Sequence, residues 1–335
     1  MSPRTTSLLR QLGIGSATAL VISNMIGTGI LTTSGFLAGQ LGSAQLVLAI
    51  WGVGAVCALA GAFCYSELGV NFPSSGGEYV YLTEAFGPTW GFMTGWISFF
   101  AGFSAPIAAA ALAFSDYVGH VVGAQGLSVG AARTLASAII ALFTIINCLG
   151  IRRTARVQNV LTSLKILIIL TFLIMGFAFG QGSWENFTHP AVRTSITPLF
   201  AQFFVSLFYI YVSYSGWNAA TYVAEELKQP ARTLPLSLAY GTALVAALFI
   251  GLNVLFIYAV PLESMKGVVA VGALAAQHLF GPAVAGVCRY RSERWSEVGG
   301  SERPDCAGQL PRPGRQGDSG PDDHYLYLGD YRAVS

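Results

Sequence analysis

Charged side chains are scarce in this sequence. Only 10% of the 335 residues are Asp, Glu, Lys or Arg, whereas 53% are hydrophobic. Ordinary globular domains are about 25% charged, so a typical soluble domain is excluded. No basic patch of the kind that binds nucleic acid is present. Several apolar stretches reach the roughly 20 residues that cross a bilayer, which predicts an all-α protein with several membrane spans.

The sequence also lacks metal-ligand and disulfide patterns. Its five cysteines show neither a CxxC motif nor a Cys/His ligand spacing, so no metal site, cofactor or disulfide framework is predicted. A cleavable signal peptide is excluded too, because the first apolar run is too long and has no A-x-A site.

Eight apolar runs are predicted as helical spans, numbered here in chain order. Span 1 covers residues 12–37 and contains Gly27-Thr28-Gly29, where it is expected to break. The linker 69–87 is predicted to be an ordered cytoplasmic turn whose glutamates are solvated or cap helices, and Pro106 predicts a kink in span 3. The remaining spans are predicted at 46–67, 88–117, 129–149, 157–179, 196–226, 236–260 and 268–287.

Lys and Arg are unevenly distributed between the two sides of the predicted bundle. Cytoplasmic segments of membrane proteins are enriched in these residues. The N-terminus is therefore expected in the cytoplasm and the protein in the cell membrane. One side carries Arg4, Arg10, Arg152, Arg153, Arg156, Lys228 and Arg232; the other carries Arg133, Arg193 and Lys266.

The Gly-rich stretch of span 1 predicts a ligand site. Each Gly costs a helix about 1 kcal/mol relative to Ala, and freed backbone groups find no partners in lipid. One half-helix would end near Met25 with unpaired carbonyls, which suit an ammonium group. Another would begin near Gly29 with unpaired amides, which suit a carboxylate. Together they fit an α-amino acid, although a small-residue packing face is the alternative. A dinucleotide fingerprint is disfavoured, because no strand precedes the glycines.

Span 6 has a second helix-weakening cluster, made of Ser213, Ser215, Gly216 and Asn218. It lies five helices after the first. Two interrupted segments at corresponding places in two halves indicate an inverted-repeat transporter. The alternative is that these small residues only pack and that Trp217 fills the core.

Four motifs, in order, carry a family resemblance. They are Gly-Thr-Gly-Ile in span 1, Phe-Pro-Ser-Ser-Gly-Gly-Glu-Tyr-Val-Tyr after span 2, Tyr-Ser-Gly-Trp-Asn in span 6, and Glu-Glu-Leu-Lys-Gln-Pro-Ala-Arg-Thr-Leu-Pro after it. Over residues 10 to 287 the chain resembles the amino acid–polyamine–organocation transporters, in particular the L-type amino acid transporter branch. The resemblance implies five plus five inverted-repeat helices, with helices 1 and 6 broken, and secondary transport of amino acids.

The resemblance also implies a substrate held between the two breaks, within Met25, Ile26, Gly27, Thr28, Gly29, Val212, Ser215, Gly216, Trp217 and Asn218. The amides of Thr28 and Gly29 would bind its carboxylate. The carbonyls of Met25, Val212 and Ser215 would bind its ammonium group.

Within this site, Trp217 and Asn218 would line or brace the substrate. The chain has Val212 where the family often has an aromatic gate and Ser215 where it often has Gly. The side-chain preference of the site therefore stays open.

Lys165 stands inside span 5, where a central Lys costs about 2.5–3.5 kcal/mol on insertion scales. Snorkelling to the cytoplasmic interface is one interpretation. The resemblance implies another: Lys165 reaches the unwound part of span 1, where sodium sits in related carriers. That favours sodium-independent exchange or proton-linked uptake. Neutral substrates are expected, because the breaks contain no acidic residue.

The family normally has twelve spans, and this sequence changes character at residue 288. The last 48 residues carry 15 of the 34 charged residues. We expect a permease domain at 1–287 and a polar tail at 288–335 that is either disordered or, as we favour, the product of a frameshift. Reading frames beyond the Val287 codon should then encode further spans. The 335-residue chain is expected to insert in a membrane yet fail to transport.

Other predictions follow from what the remaining segments contain. Animal L-type transporters join a glycoprotein through a Cys between spans 3 and 4, but residues 115–128 contain none, so no disulfide-linked glycoprotein partner is expected. Two alternatives to transport are a non-transporting remnant and an intramembrane hydrolase that uses Ser213 or Ser215 with His278.

Overall fold

The computed structural model describes residues 10–122 and 127–281, and these form a bundle of helices. Six helices are long and apolar enough to cross a membrane, and a bent helix pair makes a seventh span within these ranges. The described part of the chain forms no β-strand; its only β-type pairing is one isolated bridge between Leu12 and Leu227. The predicted tail 288–335 lies outside the described residues. The all-α membrane fold predicted from the sequence is confirmed.

Span 1 is broken where the glycines predict it. Helix α1 (Ile14–Met25) and helix α2 (Gly29–Leu41) meet at an angle of 41°. The other helices are α3 (Ala44–Asn71), α4 (Glu78–Phe86), α5 (Pro88–Ile97), α6 (Ala105–Val122), α7 (Val129–Cys148), α8 (Ile151–Phe179), α9 (Leu199–Tyr214), α10 (Pro230–Ala259), α11 (Leu262–Met265) and α12 (Val271–Phe280).

Span 3 is interrupted, as Pro106 suggests, but by a π-helical segment rather than by a simple bend. Ser98–Ser104 forms this segment between α5 and α6. Proline has no N–H for the helical ladder, and π-bulges are one of the ways in which a helix accommodates such a disruption. Of predicted span 8, the described residues hold only the ten-residue α12, too short to cross a bilayer. The residues after 281 lie outside the description.

The prediction for the linker 69–87 is wrong in one respect: it contains helix α4 as well as a turn. Burial decides this outcome. Tyr81 of α4 is buried and meets Tyr65 of α3 edge-to-face, with ring centroids 5.5 Å apart. This contact with the preceding helix cannot be seen in a short sequence window dominated by Gly, Pro and Ser.

The core lies where α3, α9 and α10 meet. Trp51, Tyr214 and Phe249 are fully buried, and their ring centroids are 5.3–5.6 Å apart. Edge-to-face aromatic contacts of this kind stabilise a core beyond simple area burial. This cluster fixes α9 against α3 and α10, and thereby positions the segment that follows α9.

Candidate functional site

The first break, residues 25–29, turns the backbone out of its helical path. The N–H of Gly27 donates to the carbonyl of Met25 at 2.9 Å, and the N–H of Leu31 donates to that of Thr28 at 3.0 Å. Met25 and Ile26 are buried, whereas Gly27 and Thr28 are exposed. The described residues offer no hydrogen-bond partner to the N–H groups of Thr28 and Gly29. These two amides are free to bind a ligand at the positive end of α2.

The second break, residues 215–218, follows α9. Gly216 has φ +103°, in the left-handed region that favours glycine. The chain then continues as a 3-10 helix, Ala219–Glu226, instead of α-helix. Predicted span 6 is therefore discontinuous, as the Ser/Gly cluster suggests.

The structure brings the two breaks into contact. A Cβ at Gly216 would lie 2.8 Å from the carbonyl carbon of Asn24, and one at Gly29 would lie 3.0 Å from Ser213 Oγ. Thr33 Oγ1 and Ser213 Oγ are hydrogen-bonded at 2.8 Å. Both glycines thus permit a close approach between the broken spans. Gly29 and Gly216 therefore do serve as small residues at a packing contact. This contact places the free amides of α2 beside the second break.

The three carbonyls predicted to bind an ammonium group differ in their present bonds. Those of Met25 and Val212 each accept one turn hydrogen bond, from Gly27 and Ser215 at 2.9 and 3.1 Å. No donor to the Ser215 carbonyl occurs among the described residues. A carbonyl has two lone pairs, so all three retain capacity for a ligand. The Val212 side chain is 54% exposed.

Trp217 and Asn218 brace the second break against other elements. Trp217 is only 7% exposed; its ring packs on Gly61 and lies edge-to-face with Tyr65, at a centroid distance of 4.8 Å. Asn218 Nδ2 donates to Glu78 Oε1 and to Tyr222 Oη. Of the two predicted roles, lining and bracing, these contacts fit bracing.

Glu78 is a residue that the sequence reasoning missed. Its carboxylate accepts from Asn218 and, at 2.5 Å, from Tyr222 Oη. The linker glutamates are predicted to be solvated or to cap helices, but Glu78 is half-buried and hydrogen-bonded to the second break. The available sequence signal was its place at the end of Ser-Ser-Gly-Gly-Glu. The glycine before it, Gly77 (φ +53°), has no room for a Cβ beside Thr221 and Tyr222, and so brings Glu78 close to the second break.

Lys165 reaches the end of α1. It is the fifteenth of the 29 residues of α8, and its Nζ donates to the carbonyls of Ser23 and Ile26, both at 3.3 Å. The side chain is half-buried. It does not snorkel toward the start of α8, and its positive charge lies beside the carbonyl end of α1, where a helix dipole favours a cation.

Ser213, one of the two serines considered for a hydrolase, bonds Thr33 Oγ1 at 2.8 Å and the Tyr209 carbonyl at 2.9 Å. Neither group is a general base, which a serine nucleophile needs within hydrogen-bond reach. The geometry therefore gives Ser213 no support as a nucleophile.

The comparisons with known proteins agree with the helical architecture. The amino acid permease family matches residues 12–288. The chain is similar to the b(0,+)-type amino acid transporter 1 of Mus musculus, with 33% identity over 76% of this chain and 52% of the relative. It is also similar to the large neutral amino acids transporter small subunit 2 of Rattus norvegicus, with 31% identity over 82% and 52%.

The chain thus spans about half the length of the curated relatives that it matches. The family match nevertheless includes both breaks, Lys165 and all seven spans. With its broken first span and its interrupted sixth, the chain belongs to the amino acid permease family of the amino acid–polyamine–organocation superfamily.

Proposed function

We propose that this chain belongs to a secondary transporter of neutral amino acids and holds the α-ammonium and α-carboxylate groups of the substrate between its two broken spans. The observation that carries the proposal is the contact of those spans at Gly29 and Gly216. Because of this contact, the free amides at the start of α2 and the available carbonyls of the second break belong to one site.

The polarity of this site matches a zwitterion. The N–H groups of Thr28 and Gly29 are donors at a helix N-terminus, and they suit a carboxylate. The carbonyl of Ser215 is an acceptor that suits an ammonium group. Residues 25–29 and 215–218 contain no Asp or Glu, and the Glu78 carboxylate beside the second break is already engaged by Asn218 and Tyr222. This absence favours a neutral substrate.

Transport without sodium is the second part of the proposal. Lys165 Nζ already supplies a positive charge at the carbonyl end of α1, and a metal cation beside it would be repelled. Exchange and proton-linked uptake both fit this arrangement. We place the protein in the cell membrane with its N-terminus in the cytoplasm, because the cation-rich ends of the spans favour that orientation.

The zwitterion requirement is tested by binding of radiolabelled leucine to the purified 335-residue protein. Unlabelled leucine should compete, whereas leucinol, which lacks the carboxylate, and N-acetylleucine, which lacks the ammonium group, should not. Gly29→Val should abolish binding, since its side chain would collide with Ser213. Gly52→Val is the matched control, because a Cβ at Gly52 meets nothing within 4 Å.

Two results would contradict the proposal: no saturable leucine binding by the protein, or equal competition by leucinol and leucine. Sodium is tested in the same assay by replacement with choline. Binding should stay unchanged, and its loss in choline would refute the sodium-independent part alone.

A further inference from the structure

A cavity of about 370 Å³ lies among α1, α8 and α10, outside the proposed substrate site. Its walls are mostly apolar with a few hydroxyl groups, and include Gly15, Thr18, Ile22, Thr162, Ile166 and Tyr240. Tyr240 is 60% exposed, so the cavity adjoins the outer surface of the bundle. Since its three walls belong to candidate membrane spans, lipid is the medium expected at that surface.

The helices α1 and α8 run parallel. Asn159 Nδ2 donates to Ser16 Oγ at 3.0 Å, Thr162 Oγ1 to the Ala19 carbonyl at 3.3 Å, and Lys165 Nζ to the Ser23 carbonyl at 3.3 Å. Residue numbers rise together along both helices. The N-terminal ends of α1 and α8 therefore lie on one side of the membrane.

Helix α10 runs in the same direction. The N–H of Lys228, just before α10, donates to the Leu12 carbonyl at 2.8 Å. Farther along, a Cβ at Gly241 would lie 2.7 Å from Val21 Cγ1. Residue numbers thus rise in the same direction along α1 and α10. All three walls of the cavity thus begin at the same end, where their helix dipoles are positive.

That end is also rich in exposed cationic side chains. The Asn159–Ser16 hydrogen bond fixes the relative height of α8 and α1. Three residues earlier on each helix stand Arg156 and Gly13, so Arg156 is level with the start of α1. Ile14, the first residue of α1, lines the cavity, so the cavity extends to the level next to Arg156. The six cations that precede or open the three helices are Arg10, Arg152, Arg153, Arg156, Lys228 and Arg232.

Among the described residues, no acidic side chain forms an ion pair with the cations beside α8. Glu225 and Glu226 precede α10. The carboxylate of Glu225 accepts from the Ser75 N–H at 3.4 Å, which lies in the loop before α4. The only ion pair found among the described residues joins Lys266 and Glu263, in the loop that follows α10.

We infer that this cavity binds one anionic phospholipid, with its phosphate among the arginines of α8 and an acyl chain between α1, α8 and α10. Charge complementarity selects this occupant: a neutral lipid would fill the apolar walls but leave the cations unused. By the positive-inside rule the cationic end faces the cytoplasmic leaflet, where a membrane's anionic lipids attract basic segments.

Native mass spectrometry of the full 335-residue protein tests this inference, with phosphatidylglycerol and phosphatidylcholine of identical acyl chains titrated separately. One phosphatidylglycerol per chain should be retained at a concentration where phosphatidylcholine is lost. Arg153→Gln with Arg156→Gln should weaken phosphatidylglycerol binding by about thirty-fold, as expected for two cations near an anionic headgroup. Arg133→Gln, on α7, is the charge control and should change nothing.

The acyl chain is tested separately by filling the cavity. Gly15 is the second residue of α1, and a Cβ there meets nothing within 4 Å. Gly15→Leu should displace several methylene groups and weaken binding of phosphatidylglycerol by roughly tenfold or more. Gly130→Leu is the matched control, because Gly130 is the second residue of α7 and equally unobstructed.

Equal retention of the two lipids by the unaltered protein would overturn the inference. So would unchanged phosphatidylglycerol binding in the double arginine variant. Because Arg153 and Arg156 are exposed, a loss of binding in that variant is not explained by misfolding. If Gly15→Leu does not give a monodisperse protein, the lipid comparison and the arginine variant decide the question. None of these outcomes depends on amino acid transport.

Discussion

The two breaks interrupt their spans in similar ways, yet the protein holds them very differently. The first break leaves Gly27 and Thr28 exposed. Its carbonyls accept from Thr32, one turn farther along α2, and from Lys165 on α8. The second break is fastened to α3 by Trp217 and to α4 by the pair of Asn218 and Glu78. One long side chain hydrogen-bonds the first break to another helix, whereas a packed ring and a hydrogen-bond network hold the second.

This difference suggests separate roles for the two breaks. A ligand that uses the amides of Thr28 and Gly29 meets backbone groups with no competing partner among the described residues. The second break, by contrast, is held in place by α3 and α4 before any ligand arrives. Preorganised polar groups bind better than groups that must first be ordered. The second break would then be the fixed part of the site and the first the part that adapts.

Gly216→Ala should have the largest effect on stability. The substitution places a side chain at φ +103°, 2.8 Å from the backbone of Asn24. Strain in the left-handed region costs about 1–2 kcal/mol, and overpacking adds about 1–3 kcal/mol. We expect the free energy of unfolding to fall by about 2–5 kcal/mol, measured by unfolding of the purified protein in detergent.

The matched substitution in the first break is Gly27→Ala. A Cβ at Gly27 meets nothing within 4 Å and its φ is not positive, so the free energy of unfolding should change by less than about 1 kcal/mol. Equal losses for the two alanines would show that the first break is as tightly enclosed as the second, and would end the proposed contrast.

Glu78→Ala tests the network that holds the second break. It leaves Asn218 Nδ2 and Tyr222 Oη without their shared acceptor. Hydrogen bonds to a charged group contribute about 1.5–3 kcal/mol, so a destabilisation of about 2–3 kcal/mol is expected. Glu84→Ala, on the exposed face of the same helix, should change stability by less than about 0.5 kcal/mol. Similar values for both glutamates would mean that the network contributes nothing.

Lys165→Met tests the support of the first break. The carbonyls of Ser23 and Ile26 lose their common donor, and unsatisfied buried acceptors cost about 1–3 kcal/mol. Unfolding in detergent should show a loss of that size. The control is Lys228→Met, since the Lys228 side chain is exposed. A loss much larger than that caused by Glu78→Ala would reverse the order of support between the two breaks.

The sequence was sufficient to predict the features that arise from local composition. Gly27 and Gly29 predicted the first break, and the Ser/Gly cluster around Gly216 predicted the second, because small flexible residues weaken a helix wherever it packs. Seven spans followed from the length of the apolar runs. Lys165 stood out because an ionisable residue inside a span is expensive.

What the sequence could not predict depends on contacts between distant segments. Glu78 and Asn218 are 140 residues apart, and neither has a local pattern that names the other. Helix α4 was not predicted, because the burial of Tyr81 against α3 stabilises it, rather than a strong helix preference of its own residues. The bracing role of Trp217 likewise depends on the absence of a side chain at Gly61.

The smallest expected effect concerns Glu263, which lies after α10 and outside both breaks. Its pKa is lowered from the usual 4.5 by a hydrogen bond from Lys266 and by another from the N–H of Val192, at 3.0 Å. Because the folded-state pKa lies below the unfolded one, the charged carboxylate stabilises the fold above the unfolded pKa. This contribution is lost as the pH falls through the folded pKa.

Glu263→Gln should therefore speed amide hydrogen exchange in residues 191–197 at pH 7, compared with the unaltered protein at the same pH. The difference should shrink as the pH falls below 4.5, where the unaltered carboxyl also becomes neutral. Peptides that cover the two breaks should exchange at unchanged rates, and Glu185→Gln serves as a control on an exposed carboxylate. Faster exchange in peptides of either break would contradict the prediction that the effect of Glu263 is confined to residues 191–197.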